Sequence, residues 1–336
     1  MTVSSERADI SPLKLAVCGS GRWGQTLMRN ITAALDLELA AVISTRSSIP
    51  DEIIHGAPVF GDWRLAVSRM NLDGIVLALP PGRQPAVAEE IIESGIPLFL
   101  EKPLALNVEA AKRLVQAAGD WGFVGLVDHL HLFAPEFQEL VRQVRGRGTV
   151  RSITSVSGNH GPYRDSWSVC WDWAPHDVAM VLTIMESVPV SVTACIVDRI
   201  DKGAQTYENV RLILTFADGA VADITTGNAF DRRRREFAVA VDDFTVSYAE
   251  NPENERSLAM GHGNDAGPVQ VESVPPLTVA LKVFAERVRQ GAGGEADLAL
   301  GAQVVRVISA AERAISEEVA VSIGQAAYSA TSGAAG

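Results

Sequence analysis

The sequence predicts an α/β protein with a doubly wound parallel sheet in its N-terminal part and a C-terminal α+β domain built on a large, mostly antiparallel open sheet. Three observations support this prediction. The chain has 336 residues, enough for about two domains. Short apolar runs alternate with helical patterns in the first part of the chain. After about Thr149, strand patterns follow one another with little helix between them.

The N-terminal part of the chain is predicted to contain five buried strands. Five short apolar runs have the length and flanking residues of such strands: Leu13–Val17, Leu39–Ile43, Gly74–Leu79, Pro97–Leu100 and Phe123–Val127. Apolar runs that are separated by helices imply βαβ units, and βαβ units form a parallel sheet that is covered on both faces.

Helices are predicted between these strands. An apolar stripe at helical spacing consists of Leu27, Met28, Ile31, Ala34 and Leu35. A second helix is predicted over Gln84–Glu93 and ends at Ser94 and Gly95. A third is predicted over Val108–Ala118 with Asn107 as its N-cap, and a fourth begins at Pro135.

The second half of the chain has the alternation of half-buried strands. Val210, Leu212, Leu214 and Phe216 alternate with Arg211, Ile213 and Thr215, as expected of a strand with one buried face. Other predicted strands are Ser191–Val197, Ala220–Thr225, Phe237–Val241 and Phe244–Tyr248, with a turn at Asp218 and Gly219. Asn251–Gly267 is polar and rich in glycine and predicts a long loop, and helices are predicted at Leu277–Gln290 and Leu298–Glu317.

These patterns predict the domain limits. We expect a disordered N-terminus over residues 1–12, a first domain over 13–128, a second domain over 129–324 and a mobile tail over 325–336. A C-terminal helix is expected to pack back on the first domain.

Composition and charge exclude several classes of protein. Hydrophobic residues make up 47% and charged residues 21%, which is typical of a globular chain. A net charge of −12 argues against nucleic acid as a partner. The basic run Arg232–Arg235 is interpreted as a solvated strand edge or loop, or alternatively as a site for an anionic substrate. With scattered cysteines, no signal peptide and no long apolar run, a cytoplasmic protein without membrane partners is expected.

A glycine-rich turn follows the first predicted strand. It reads Gly19-Ser20-Gly21-Arg22-Trp23-Gly24 and opens the helix with the Leu27 stripe. In a dinucleotide-binding turn, the first glycine makes the tight turn, the second lets the backbone approach the pyrophosphate, and the third lets helix and strand pack closely. The first domain is therefore predicted to be a Rossmann domain that binds NAD or NADP.

The residues that follow the second predicted strand indicate which cofactor is preferred. An acid at this position would bind the ribose hydroxyls of NAD, but the segment here contains Ser44, Thr45 and Arg46 and no acid. Hydroxyls and a guanidinium suit a 2′-phosphate. NADP is therefore predicted to be preferred over NAD, the alternative being that Arg46 points to solvent and the site is indifferent.

Polar residues also follow two later strands. Leu79-Pro80-Pro81 comes at the end of the predicted strand Gly74–Leu79, and Glu101-Lys102-Pro103 follows the predicted strand Pro97–Leu100. Ligands of open parallel sheets bind at the carboxyl ends of the strands, so both segments are expected to border the nicotinamide. Desolvation and nearby charge can bring the pKa of a lysine closer to neutral pH, which makes Lys102 a candidate acid or base.

Together these motifs resemble the glucose-fructose oxidoreductase, inositol dehydrogenase and MocA (Gfo/Idh/MocA) family over nearly the whole chain. The resemblance rests on the glycine turn, the Leu79 and Glu101 segments, Leu104, Phe133 and Pro135, and the run Asp172-Trp173-Ala174-Pro175-His176-Asp177. It implies an oxidoreductase that transfers a hydride between a sugar carbon and the nicotinamide, with Lys102, Asp172 and His176 as catalytic residues. It also implies a cis bond before Pro103.

The catalytic residues have distinct expected roles. His176 or Lys102 would exchange the hydroxyl proton, and Asp172 would set position and charge. Because Asp172 and His176 are four residues apart, one helical turn is expected to place both on the same face. The cofactor-binding residues are predicted to be Gly19, Gly21, Arg22, Trp23, Gly24, Ser44, Thr45, Arg46, Leu79, Pro80, Pro81, Gln84, Glu101 and Lys102.

A narrower resemblance concerns the substrate. Val127-Asp128-His129 and Gly161–Asp165 are similar to members that act on nucleotide-linked or amino sugars, which makes His129, Tyr163, Arg164, Asp165 and His176 candidates for substrate contact. Alternatively, Asp128 and His129 only join a strand to a helix, and Arg164 pairs with Asp165. The chain departs from the family pattern at Gln84, where histidine is frequent, and at Ala179, where a second acid is frequent.

The sequence leaves other functions open. The expected partner is a sugar or a nucleotide sugar, and the expected assembly is a homodimer or homotetramer. One alternative is an enzyme that cleaves glycosidic bonds with tightly bound NAD. Another is a noncatalytic dinucleotide-binding sensor.

Overall fold

The structure is a computed structural model that describes residues 11–46, 49–163, 166–262 and 265–324. These residues form two compact units. The first unit contains the described residues up to Glu101, together with Gln116–Asp128 and Ala280–Glu295. The second contains Lys102–Val115, His129–Val279 and the described residues from Ala296 onward. The contiguous domain limits predicted from the sequence remain a proposal, and the predicted tail lies outside the described residues.

The first unit contains a parallel sheet of six strands. They are β1 (Leu13–Cys18), β2 (Leu37–Ile43), β3 (Val59–Phe60), β4 (Gly74–Leu77), β5 (Leu98–Glu101) and β6 (Gly125–Asp128), in the order β3-β2-β1-β4-β5-β6. All five predicted strands are confirmed, and β3 was missed because two residues make no pattern. The strand order reverses between β1 and β4, which is where ligands of such sheets bind.

Five helices accompany these strands along the chain. They are α1 (Arg22–Ala33), α2 (Asp51–Ile54), α3 (Trp63–Arg69), α4 (Gln84–Glu93) and α5 (Val108–Trp121). The N-cap of α5 is confirmed, since Asn107 Oδ1 accepts a hydrogen bond from the Ala110 N–H at 2.8 Å. The stripe predicted for α1 is wrong at its end. The helix stops at Ala33 because the backbone of Ala34 is extended toward β2, and Leu35 is 93% exposed.

The second unit is built on a sheet of nine strands. They are β7 (Val150–His160), β8 (Ser191–Lys202), β9 (Gln205–Thr215), β10 (Val221–Gly227), β11 (Ala229–Val241), β12 (Phe244–Glu250), β13 (Arg256–His262), β14 (Gly267–Val269) and β15 (Val321–Ser322). Their order is β14-β13-β12-β11-β7-β10-β9-β8-β15, and among these described strands only β7 and β10 pair in parallel. The predicted mostly antiparallel sheet is therefore confirmed.

Five more helices follow in the chain: α6 (Pro135–Val144), α7 (Val169–Asp172), α8 (Ala174–Met185), α9 (Pro276–Gln290) and α10 (Glu295–Glu317). Phe284 of α9 belongs to the first unit, where its ring meets Phe99 edge-on at 5.7 Å. The predicted turn is also confirmed, because Asp218 Oδ1 accepts from the Ala220 N–H at 3.0 Å and Gly219 has a φ of +88°.

The long loop predicted over Asn251–Gly267 is wrong. This segment contains β13, which pairs with β12 and β14 and buries Leu258. Its polar and small residues give no apolar alternation, so the strand depends on ladder hydrogen bonds to its neighbours, which a local pattern does not report. No helix in the described part of the chain is long and apolar enough to cross a membrane.

Candidate functional site

The glycine-rich turn of the first unit has the geometry of a dinucleotide-binding turn. Gly19 has a φ of +115°, and a Cβ there would collide with the Ala78 carbonyl oxygen. A Cβ at Gly24 would collide with the Gly19 carbonyl oxygen, whereas a Cβ at Gly21 would meet nothing within 4 Å. Two glycines therefore allow close packing of the turn, and Gly21 leaves its outer side open to a ligand.

The N-terminus of α1 is available to an anion. Its N-cap is Gly21, which provides no side-chain cap, and its first turn contains no acidic residue. The first N–H groups of a helix lack partners within the helix and favour negative charge. Arg22 and Trp23 are exposed in this first turn, and Trp23 Nε1 donates a hydrogen bond to the Glu101 carboxylate. The turn and the helix end fit a pyrophosphate.

The segment after β2 lies against the same turn. The hydroxyls of Ser20 and Ser44 are 2.6 Å apart, and Ser44 Oγ also accepts from the Arg46 N–H at 3.1 Å. Arg46 Nη1 donates to the Ser20 carbonyl oxygen at 3.1 Å, while Arg46 and Thr45 are exposed. This brings a guanidinium and several hydroxyls together beside the phosphate-binding turn.

The segments after β4 and β5 lie at the same edge of the sheet. Leu79, Pro80 and Pro81 follow β4, and the buried Gln84 donates its side-chain amide to the Glu101 carbonyl oxygen at the end of β5. Lys102 follows Glu101 directly, and the Lys102–Pro103 bond is cis. The first unit thus places the predicted cofactor-binding residues up to Glu101 along the carboxyl edge of its sheet.

In the second unit, Lys102 is held by Asp172 through the main chain. Lys102 Nζ donates to the Asp172 carbonyl oxygen at 2.7 Å. The predicted single helical turn through Asp172 and His176 is wrong, because α7 ends at Asp172 and α8 begins at Ala174. Pro175 has no N–H to continue the α-helical ladder, and the His176 N–H reaches the Trp173 carbonyl oxygen at 3.4 Å.

Three histidines lie near Lys102. His129 follows β6 and is 2% exposed, and His131 lies in the 3₁₀ turn Leu130–Phe133 and is 8% exposed. The His131 ring meets the His176 ring edge-on, with centroids 4.9 Å apart. Within the described chain, both ring nitrogens of His129 and the Nδ1 atoms of the other two have no hydrogen-bond partner. Unpartnered buried nitrogens are costly and suit a polar ligand. Among the described residues, no cluster of three or more His, Cys, Asp or Glu side chains is arranged to hold a metal ion.

The histidines are kept uncharged by their surroundings. Burial, reinforced by the positive charge of Lys102, lowers the pKa of His129 to about 3. Burial also holds the pKa of His131 and of His176 well below the ordinary value, with Arg235 contributing at His131 and Lys102 at His176. All three imidazoles are therefore neutral at pH 7 and are able to accept a proton or a hydrogen bond.

A buried carboxylate lies beside His176, at a residue to which the sequence analysis assigned no role of its own. Asp177 is fully buried and accepts hydrogen bonds from Ser155 Oγ at 2.8 Å, Ser157 Oγ at 2.5 Å and Arg235 Nη1 at 3.2 Å. The interpretation of the basic run as a solvated edge or loop is wrong for Arg235, which is 4% exposed inside β11. The available signal was a charged residue at the start of an apolar helix, but its partners are distant in sequence.

A cavity of about 260 Å³ lies beside Asp172 in the second unit. It is lined by Tyr163, Trp167, Ser168, Val169, Asp172, Arg199, Thr206, Glu208 and Asn228. Arg199 forms an ion pair with Glu208 at 3.3 Å. The charged side chains of the lining are therefore the acids Asp172 and Glu208 and one arginine that is already paired. Tyr163 is thus brought to a cavity, whereas the candidate residues Arg164 and Asp165 lie outside the described residues.

The buried histidines predict how stability depends on pH. Their pKa values in the folded chain lie below the unfolded value of 6.5, so the unfolded chain takes up more protons in acid. The contribution of these neutral histidines to the free energy of unfolding is therefore fully present above pH 6.5. It falls as the pH drops from 6.5 toward 3, by at most about 1.4 kcal/mol per pH unit for each histidine. Urea unfolding at several pH values measures this slope.

The matched variants are His129→Gln and His262→Gln. His129→Gln is expected to make the free energy of unfolding less dependent on pH. His262 is exposed, so its replacement is expected to leave the slope unchanged. Equal slopes in the wild type and in His129→Gln would contradict the prediction.

Comparisons with known proteins agree with both units. Residues 13–129 match the NAD-binding Rossmann-fold domain of the GFO/IDH/MocA oxidoreductase family, and residues 139–246 match its C-terminal domain. A crystallised protein from Magnetospirillum magnetotacticum MS-1 is 32% identical, with a TM-score of 0.79 over 90% of this chain and all of that chain.

Two other relatives are less identical to this chain. Inositol 2-dehydrogenase of Rhizobium meliloti (strain 1021) is 24% identical over 88% of this chain and 97% of its own. UDP-N-acetylglucosamine 3-dehydrogenase from Acidithiobacillus ferrooxidans is 20% identical with a TM-score of 0.78, over 91% of this chain and 98% of that chain, and so shares its fold. With both domains matched, the chain belongs to the Gfo/Idh/MocA family and is an NAD(P)-dependent oxidoreductase.

Proposed function

We propose that the protein is an NADP-preferring dehydrogenase that oxidises a hydroxyl-bearing carbon of a sugar or cyclic polyol, reversibly. The observation that carries this proposal is the group of Lys102 and three buried, neutral imidazoles in the second unit. A fixed ammonium next to a neutral base is the pair that alcohol oxidation requires, because the base removes the hydroxyl proton while the cation stabilises the developing negative oxygen.

The first unit holds the cofactor in this proposal. The glycine turn and the N-terminus of α1 bind the pyrophosphate, and Ser44, Thr45 and Arg46 bind the ribose end. The segment Leu79–Pro81, Gln84 and Glu101 border the nicotinamide. A bound nicotinamide would supply the hydride acceptor in oxidation and the hydride donor in reduction.

The second unit moves the proton. A ring nitrogen of His176 takes the proton of the substrate hydroxyl as the C–H bond gives up its hydride, which leaves a carbonyl group. Lys102 stabilises the oxygen during this change, and the Asp172 carbonyl oxygen positions Lys102. His129 and Tyr163 contact the substrate hydroxyls. The same groups work in the opposite direction during reduction.

An uncharged polyol is the substrate class that the cavity favours. A diphosphate needs available cations, whereas among the described residues that line the cavity Arg199 is already paired with Glu208 and Asp172 adds a further acid. The inositol 2-dehydrogenase relative supports an uncharged cyclic polyol. A nucleotide sugar is the second candidate, supported by the fold shared with a UDP-N-acetylglucosamine 3-dehydrogenase. Homodimeric or homotetrameric assembly remains part of the proposal.

A substrate panel with NADP⁺ separates these candidates. Reduction of NADP⁺ by an inositol or an unmodified hexose, and not by UDP-N-acetylglucosamine, is the expected result. Turnover restricted to the nucleotide sugar would replace the first candidate by the second. Tightly retained cofactor with glycoside cleavage and no net reduction would instead contradict the dehydrogenase proposal.

The preference for NADP is tested at Arg46. Removing the side chain in Arg46→Ala is expected to raise the Kd for NADPH by about 10-fold to 100-fold, the range for a lost hydrogen bond to a charged group, and to leave the Kd for NADH nearly unchanged. Calorimetry on cofactor-free protein measures both constants. The control is Arg69→Ala, since Arg69 is an exposed arginine at the end of α3. An equal loss for both cofactors, or tighter binding of NADH by the wild type, would contradict the preference.

A further inference from the structure

His176 is contacted by a ring that the proposed reaction does not use. The His131 and His176 ring planes are at 85° with centroids 4.9 Å apart. His131 comes from the 3₁₀ turn after β6, and His176 comes from the first turn of α8. The contact therefore joins two separate elements of the second unit at the proposed proton acceptor.

The usual support of a proton-accepting imidazole is a hydrogen bond to its second ring nitrogen. Among the residues that the structure describes, Nδ1 of His176 has no such partner, and neither has Nδ1 of His131. Ring orientation at His176 is therefore not set by a carboxylate or carbonyl at Nδ1. The backbone beside His176 is fixed separately, because its neighbour Asp177 is held by Ser155, Ser157 and Arg235.

We propose that His131 is a positioning residue for His176, whose imidazole plane it holds by the edge-on contact so that a ring nitrogen is presented for proton transfer. The proposal rests on the proposed function, in which His176 takes the hydroxyl proton. An edge-on ring contact fixes the rotation of a side chain without consuming either ring nitrogen, so His176 keeps both nitrogens for chemistry.

Burial, reinforced by the surrounding charges, keeps both rings of this contact uncharged. Lys102, His129, His131 and Arg235 act on His176, and Arg235, Arg233, Lys102 and Arg256 act on His131. Every arginine and lysine in these two sets disfavours protonation of the rings. Both rings remain neutral at pH 7, so the contact is not weakened by repulsion between two imidazolium ions.

Two replacements of His131 distinguish the contribution of its aromatic ring from that of its ring nitrogens. His131→Phe keeps an aromatic ring, whereas His131→Ala removes it. His131→Ala is expected to lower kcat by about 100-fold, the cost of misplacing a reacting group by about 1 Å, with little change in KM. His131→Phe is expected to retain kcat within a few-fold, because the ring contact is preserved.

A second readout does not need a substrate. The imidazole NMR signals of the full chain with NADPH are followed from about pH 7.5 to about pH 5.5, around the ordinary range of histidine titration. The chain has six histidines, and His176→Gln assigns the signal of His176. In the wild type and in His131→Phe, the His176 signal is expected not to titrate. In His131→Ala, water reaches the ring and the signal is expected to titrate, whereas the exposed-site control His262→Gln matches the wild type.

The outcomes separate the two proposals. An unchanged His176 signal and an unchanged kcat in His131→Ala would overturn the positioning role, as would equal losses in folded His131→Phe and His131→Ala. Full turnover by His176→Gln would overturn the proposed proton acceptor instead. The NMR comparison of the His131 variants still reports whether His131 controls the environment of His176.

Discussion

Replacing Lys102 by methionine is expected to lower kcat by about 10²-fold to 10⁴-fold, the range for loss of a positioned proton-transfer or charge-stabilising group. Methionine keeps most of the length of the side chain and removes the ammonium that donates to the Asp172 carbonyl oxygen. The loss should therefore arise from charge at the reacting oxygen. Steady-state kinetics with the substrate found in the panel, together with a separate Kd for NADPH, measure it.

The same replacement makes a second change that identifies its cause. Lys102 lowers the pKa of His129 and of His176, so its removal is expected to raise both pKa values and to move the acid limb of the pH profile to higher pH. Lys112→Met is the matched control, because Lys112 is exposed on α5 and pairs with Glu109. Unchanged kcat in Lys102→Met, or an equal loss in Lys112→Met, would exclude Lys102 from the chemistry.

Replacing Arg235 by methionine is expected to lower the free energy of unfolding by about 3–5 kcal/mol, the cost of leaving a buried charge without its partner. Arg235 and Asp177 have side chains that are 5% and 0% exposed, and their charged atoms are 3.2 Å apart. Ser155 and Ser157 would still donate to the carboxylate, but its charge would be uncompensated. Urea unfolding of the full chain measures the change.

The exposed pair of Arg211 and Asp223 provides the control on the same sheet, since these side chains are 50% and 33% exposed. Arg211→Met is expected to leave the free energy of unfolding unchanged within error, because water already solvates this pair. The double variant Arg235→Met with Asp177→Asn is expected to be more stable than Arg235→Met alone, since the uncompensated charge is removed. Equal unfolding midpoints for Arg235→Met and Arg211→Met would contradict the assignment of a buried ion pair.

Local patterns account for the parts of the structure that were predicted correctly. The turn from Gly19 to Gly24 is recognisable because steric demands at neighbouring residues require glycine there, and each β-strand of the first unit except β3 is an apolar run of its own. Such features depend on residues within a few positions of one another. The candidate residues around the glycine turn and at Lys102 and His176 could therefore be named in advance, with the family resemblance supplying their roles.

Features that depend on distant partners were missed or wrong. The strand β13 was predicted as a loop because its pairing with β12 and β14 is not visible in its own residues. Arg235 was interpreted as solvated because its partner Asp177 lies 58 positions away. The single helical turn through Asp172 and His176 is interrupted at Trp173, where the chain passes from one helix to the next.

The sequence by itself therefore determined the fold class, the phosphate-binding turn and the residue types available for chemistry. Each of these depends on the spacing and steric requirements of residues that are close together in the chain. Only the tertiary structure decided which of those side chains are buried and which of them meet. It placed His131 against His176, brought Arg235 to Asp177 and enclosed three neutral imidazoles near Lys102. Burial and contact between distant segments set the pKa values and orientations of these groups, and neither quantity exists until the chain has folded.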